Sequence, residues 1–140
     1  MKCYIASPFF NASEISVVET LEDVIIKTGN KYYSPMRHGI LKDMPKEEIA
    51  IESKRIFDEN VEMINWADLI VANTDNFDAG TMIEIGMAHA LNKTIITYSE
   101  QGYGANVMIA EASSGHYTDL FQLELAIDRE IFNGKQEVVE

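Results

Sequence analysis

The order of apolar and polar segments predicts an α/β fold built on an open parallel sheet, and three observations carry that expectation. Short apolar runs at Lys2–Ala6, Asp68–Asn73 and Thr94–Ser99 have the length and composition of buried strands. Stretches with apolar residues at helical spacing lie between them, most clearly Ser13–Lys27 and Glu47–Trp66. Proline and glycine punctuate the joints at Ser7-Pro8, Gly29, Ser34-Pro35 and Pro45. Strands alternating with helices require crossovers that return over the sheet in a right-handed sense and cover both of its faces. The architecture expected is a flavodoxin-like doubly wound sandwich, a four- or five-stranded parallel sheet flanked by helices, in one domain spanning residues 1–140.

Each element has its own signal. Lys2–Ala6 is a strand stopped by Ser7-Pro8. Ile15, Val18, Leu21 and Ile25 make one helical face, which Ser13 can cap and Gly29 can end. Lys31-Tyr32-Tyr33 is a short extended piece halted before Pro35. Residues 36–45 show no periodicity and read as a loop at a pocket rim. Ile49, Ile56, Val61 and Ile64 then form a helical stripe, followed by the strongest strand in the chain. After Thr94–Ser99, Asn106–Ala112 and Leu120–Phe132 read as helices, with room for a short edge strand at Gly115-His116-Tyr117. The polar tail from Gly134 to Glu140 is expected to be loose unless a neighbouring subunit holds it.

Composition excludes several classes. Eleven basic against 23 acidic residues leave a formal charge of −12, which repels nucleic acid and anionic membranes. The one cysteine, Cys3, sits in an apolar run, so no internal disulfide forms and a reducing, cytoplasmic setting is expected. The amino terminus is too short in apolar residues for a signal peptide, and no run suits a membrane span. His38, His89 and His116 are scattered without paired spacing, so no metal site is expected. No G-x-G-x-x-G, Walker lysine or G-x-S-x-G elbow is present, and no cofactor is expected.

The most informative segment is Asp78-Ala79-Gly80-Thr81-Met82-Ile83-Glu84-Ile85-Gly86, which leads from the strand ending at Asn73 into a helix. Open parallel sheets bind ligands at the carboxyl ends of their strands. Two readings of Glu84 stand side by side. Thr81-x-x-Glu84 fits a capping box, in which both side chains serve only their own helix. A carboxylate in the first turn of a helix is also favoured in its ionised form, the form that attacks an anomeric carbon. Residues beyond the other strand ends converge on the same edge, and Tyr4, Phe9, Ser34, Asp78 and Glu84 form the candidate set. Tyr4 shares a sheet face with Ala6, and its phenol either packs in the core or bonds Glu84. Phe9 and Phe10 either stack on a flat heterocycle or simply pack.

In order, these residues match a known family. Tyr4-Ile5-Ala6-Ser7-Pro8-Phe9-Phe10, Ser34-Pro35, Ala67-Asp68-Leu69-Ile70-Val71-Ala72-Asn73, Asp78-x-Gly80-Thr81-x-x-Glu84-Ile85-Gly86-x-Ala88-x-Ala90-Leu91 and Asn106-x-Met108-Ile109 together resemble the nucleoside 2-deoxyribosyltransferases. The resemblance implies that 2′-deoxynucleosides and free nucleobases are the partners. It implies Glu84 as the nucleophile that carries the deoxyribosyl group as an ester, through the two inversions familiar from retaining glycosidases. Tyr4 would orient Glu84, Asp78 would bond the base and help move its proton, and Phe9 would lie against the base. Ser34 and Gly80 belong to the same substrate edge. Asn106 and Met108 would complete the pocket of a neighbouring subunit in a homo-oligomer, a dimer or a hexamer built from dimers. The chain departs from the pattern at Asn60, eight residues before Asp68, where many members carry an aspartate. An amide cannot supply a proton as a carboxylic acid does.

Two rival functions share the motif. One is a 2′-deoxynucleoside 5′-monophosphate N-glycosidase, which resembles this chain at the Glu84 motif but delivers the sugar to water, and whose relatives hold the phosphate with arginine and serine; neither Ser7-Pro8-Phe9-Phe10 nor Asn106-Val107-Met108-Ile109 contains arginine. The other is a nucleotide-binding module without catalysis, which would need no nucleophile.

Overall fold

The computed structural model describes residues 1–39, 41, 43–104 and 106–132. In chain order its elements are β1 (Lys2–Ala6), α1 (Ala12–Lys27), β2 (Lys31–Tyr33), a 3-10 turn (Pro35–Arg37), α2 (Lys46–Trp66), β3 (Leu69–Asn73), a second 3-10 turn (Asp75–Phe77), α3 (Ala79–Ala90), β4 (Thr94–Tyr98), α4 (Val107–Ala112), β5 (Gly115–Tyr117) and α5 (Leu120–Arg129). The five strands pair in parallel in the order β2-β1-β3-β4-β5. The doubly wound α/β fold expected from the sequence is therefore present, with both short outer strands formed.

Strand alternation divides the core. Cys3 and Ile5 of β1 join Leu69, Val71 and Ile96 beneath α1 and α5. Tyr4 and Ala6 point the other way, into a cluster with Ile70, Ala72 and Ile95 beneath α2 and α3. Helix α1 presents Val18, Leu21 and Ile25, each at most 1% exposed. Burying one such side chain is worth roughly 1.5–3 kcal/mol, and this stripe fixes which way α1 crosses the sheet.

Several helix ends differ from expectation. Helix α1 is capped by Asn11, not Ser13, because the Asn11 side chain accepts from the Glu14 N–H. It does end at Gly29, whose φ of 80° suits a residue without Cβ. The Gly29 N–H bonds the Ile26 carbonyl and the Asn30 N–H reaches Ile25, which closes a Schellman motif. Helix α5 stops at Arg129 because Glu130 turns left-handed, at φ 53°, so it does not run to Phe132. Within the segment read as a loop, Pro35–Arg37 makes one tight turn. The tail at 134–140 lies outside the described residues.

That turn is fastened to α1 by an ion pair. Arg37 donates to Glu22 through Nε at 3.1 Å and Nη2 at 2.7 Å, and the Glu22 side chain is only 6% exposed. Arg37→Ala would leave a buried carboxylate without its cation, and calorimetry should find the melting temperature lowered by roughly 5 °C. Replacing Glu22 by Met in the same variant should recover much of the loss, since no charge then remains buried.

Candidate active site

Strand order reverses direction between β1 and β3, so the loops leaving these two strands diverge and open a crevice at the carboxyl edge of the sheet. The loop after β3 is tightly determined. Asn76 and Phe77 hold left-handed backbones, at φ 65° and 46°, a conformation that costs a bulky residue energy and persists only where neighbours enforce it. Asn76 donates to Glu14 at 3.3 Å, and Glu14 also accepts from the Phe10 N–H at 2.9 Å, which ties this loop to the one after β1. Asp75 is buried and accepts from the Ser99 hydroxyl at 2.6 Å and the Glu100 N–H at 3.0 Å.

Asp78, emerging from that loop, is the cap of α3. Its Oδ2 accepts from the Thr81 backbone N–H at 2.9 Å and the Thr81 hydroxyl at 3.0 Å. Thr81 is therefore inside the helix and does not cap it. Glu84 is correspondingly in the second turn, not the first, and the capping box fails as an account of it. Its carboxylate instead accepts a hydrogen bond from the Tyr4 hydroxyl on β1. The charge at a helix end fades beyond the first turn, so the expected help from the amino terminus of α3 is small at this position.

Burial pushes the Glu84 carboxyl up to about 7; the Tyr4 hydroxyl pulls it down and the negative Asp78 adds to the rise. Burial first, and then the Glu84 charge, raises the Tyr4 phenol above its ordinary value, so Tyr4 stays a donor. Glu84, with the buried Tyr4 behind it, lines a cavity of about 280 Å³ between α2 and α3, walled by Leu41, Ile56, Phe57 and Ile83 and opened to polar contact by Asn60 and Ser53. Gly80 lines it too, and a Cβ there would stand 3.3 Å from the Asp78 Oδ2. None of the described residues lining this cavity is basic.

The structure thus brings together Tyr4, Asn60, Asp78, Gly80 and Glu84. Ser34 follows β2 on the same edge, and its Oγ is the buried side-chain oxygen left without a hydrogen-bond partner among the described residues. Phe9 stands apart: it packs on the α1/α5 core and stacks on Phe10, with ring centres 5.7 Å apart. Asn106 and Met108 lie in a groove on the far side of α3, beside Met82, Gly86 and His89. The Asn106 side chain caps α4 by accepting from the Ile109 N–H at 3.0 Å, while Met108 is 76% exposed.

Sequence reasoning missed the cluster behind Tyr4. Tyr33 sits opposite Tyr4 in the β1/β2 register and stacks on it, with ring centres 5.7 Å apart. The Tyr33 hydroxyl donates to Glu59 at 2.8 Å. Arg55 and Glu59, four apart on α2, were the available signal.

The sequence profile of the nucleoside 2-deoxyribosyltransferases matches residues 3–122. The chain belongs to this family. Family membership makes it a pentosyltransferase, and one solved structure of a 2-deoxyribosyltransferase agrees. The 2-deoxyribosyltransferase of the psychrotolerant bacterium Bacillus psychrosaccharolyticus superposes with a TM-score of 0.84 at 27% identity, covering 99% of this chain and 100% of that one. Two more distant structures share the fold. A CMP N-glycosidase from Clostridium botulinum has a TM-score of 0.61 at 19% identity, over 91% of this chain and 99% of that one. A conserved protein from Enterococcus faecalis has a TM-score of 0.57 at 21% identity, over 100% and 91%. No curated protein sequence matches the chain. None of the described helices of this deoxyribosyltransferase family member is long and apolar enough to cross a membrane.

The raised Glu84 carboxyl fixes a pH dependence of stability. The folded state holds this proton more tightly than the unfolded chain, so the contribution is fully present below the ordinary value of 4.5 and is lost as pH rises through about 7. Glu84→Gln, which cannot ionise, should be more stable than wild type by on the order of 1–3 kcal/mol at about pH 8 and nearly equal to it below 4.5. Urea melts at the two pH values measure the difference.

Proposed function

We propose that this protein transfers the 2-deoxyribosyl group from one nucleobase to another in the cytoplasm, by a retaining double displacement through a deoxyribosyl ester of Glu84. The observation that carries the reading is the Tyr4–Glu84 pair, a carboxylate released from any capping duty and aimed by a phenol at the end of a cavity whose described lining holds no basic residue. Ionised Glu84 attacks C1′ of a 2′-deoxynucleoside from the face opposite the base. The C1′–N bond breaks, its electron pair leaves with the base, and the base takes up a proton. A second base then attacks C1′ from the vacated face, expels the carboxylate and gives up its proton, and the two inversions restore the starting configuration.

The remaining residues serve this path. The Tyr4 hydroxyl keeps one carboxylate oxygen fixed so that the other attacks. Asp78 uses Oδ2 in its cap, which leaves Oδ1 for the base and its proton. Asn60 reads the base as a hydrogen-bond donor and acceptor but supplies no proton, so protonation rests on Asp78 and on the base itself. Ser34, with its unpartnered buried oxygen, fits a substrate hydroxyl or a bridging water. Phe9 reaches the base only if its stack with Phe10 opens toward the crevice. None of the described residues lining the cavity is basic, so they offer a phosphate dianion no compensation, which favours an unphosphorylated substrate over the hydrolase alternative.

Asn106 and Met108 sit across α3 from Glu84, so they reach a reacting sugar only in another copy of the chain. This supports a homo-oligomer in which each pocket is closed by a neighbour. Exposed Ile83 beside the cavity and exposed Met108 on α4 are apolar groups of the kind such contacts cover.

Incubation with a 2′-deoxynucleoside and a second free base should yield the exchanged nucleoside on chromatography, and Glu84→Ala should lower its formation about a thousandfold or more. Free deoxyribose without exchange would instead mark a hydrolase. Since only ionised Glu84 attacks, kcat/KM should climb as pH passes through about 7. Glu84→Ala and Met108→Glu proteins, each impaired alone, should regain exchange when refolded together, because mixed assemblies contain pockets with both native residues. Activity no greater than the sum of the separate variants would refute the shared pocket.

A further inference from the structure

Behind Tyr4 lies a second layer of side chains that the proposed chemistry does not use. Tyr33 on β2 is a register partner of Tyr4, and its ring lies nearly parallel to it, at 19°. On its other face Tyr33 stacks against His38, with ring centres 4.3 Å apart and planes 16° apart. Its hydroxyl donates to Glu59 Oε1 at 2.8 Å. Arg55 holds the other oxygen of Glu59 at 2.8 Å, and its Nη2 also donates to the His38 carbonyl at 3.1 Å. His38 Nδ1 stands 3.6 Å from Glu59. Three rings thus stand in file from the loop after β2 to the phenol that bonds Glu84, and α2 pins the middle ring at its tip.

We infer that Tyr33, anchored by Glu59, is a positioning residue that holds the Tyr4 hydroxyl in line with the Glu84 carboxylate. The inference rests on the reading of Glu84 as nucleophile. Tyr33 is 6% exposed and its strand is only three residues long, so the sheet alone fixes the ring's tilt weakly. The bond to Glu59 supplies the missing constraint, and it comes from a charged acceptor, the stronger kind. Glu59 is in turn restrained by Arg55, one turn away on the same helix, an arginine shared with Glu52 at 2.8 Å. The charge of Arg55 is thereby spent inside the cluster and is turned away from the substrate cavity, whose described lining includes Asn60 but not Arg55.

The groups that bear on Glu84 are Tyr4 and Asp78, with Tyr33, Glu59, Arg55 and His38 one layer further back. Loss of the Tyr33 anchor lets the Tyr4 ring tilt, weakens its bond to Glu84, and removes a donor that favours the ionised carboxylate. Tyr33→Phe is the clean probe because it deletes the anchor, keeps the ring and changes no charge.

The measurement is a carbon-13 NMR titration of the Glu84 carboxyl, assigned by its disappearance in Glu84→Gln, in wild type, Tyr33→Phe and Glu59→Ala. The midpoint should rise by about half a pH unit or more in Tyr33→Phe, with a melting temperature lowered by no more than roughly 10 °C and a fall in kcat that exceeds any change in KM. Glu59→Ala separates position from charge. Removing a negative charge would by itself lower the midpoint, whereas release of Tyr33 raises it, so a rise there supports positioning. A midpoint unchanged or lowered in either variant would overturn the inference. The titration does not depend on turnover, so a wild-type protein that exchanges no bases would defeat the proposed function and leave this result to be read separately.

Discussion

Glu84 is a carboxylate that the fold largely withdraws from water and fastens through one hydrogen bond. The donor lies 80 residues away in sequence, on a strand whose neighbours on both sides must be in register before the two side chains can meet. Burial alone would keep Glu84 protonated and inert at neutral pH; a phenol that cannot readily ionise restores enough of its acidity to leave it near 7. The parallel sheet, the loop after β3 and the cap of α3 all serve to make that meeting repeatable. A carboxylate two residues earlier on α3 would face the α4 groove, and one on β1 would have no helix to present it.

Much of this was legible. The limits of β1 and β2 were readable because each is a short apolar or aromatic run between residues that end strands, while β5 was marked only by the space left between two helices. The alternation of Tyr4 and Ala6 against Cys3 and Ile5 placed them on opposite faces, as found. The helix starts were less legible, since any of several neighbouring Asn, Ser, Thr or Asp residues can cap. Asn11 displaced Ser13, and Asp78 displaced Thr81. The second displacement mattered, because it moved Glu84 a full turn along the helix and exchanged a structural partner for a phenol. The ring file of His38, Tyr33 and Tyr4 was hidden for a different reason. It depends on which residue of β2 faces which residue of β1, and a three-residue strand carries too little pattern to fix its own register.

The interlock of the two crevice loops shows how the site is kept open. Glu14 reaches both the Phe10 N–H and Asn76, so a residue of α1 braces the turn that delivers Asp78. Asp75 does the same toward β4 through Ser99. Buried carboxylates used in this way satisfy backbone groups that a crevice would otherwise strand, and they leave the faces of Asp78 and Glu84 free for a ligand.

Helix α3 faces three surroundings at once. Gly80, Ile83, Glu84 and Met87 front one groove, Met82, Gly86 and His89 front another, and Thr81, Ile85 and Ala88 are buried. Only the terminal Ala79 and Ala90 escape all three. Such a helix has almost no position at which a substitution is silent, so its sequence is held by the combined demands of packing, chemistry and contact. Diversification of the protein toward new bases has to proceed through α2 and the segment before it, where one side of the cavity can be recut without touching the other two.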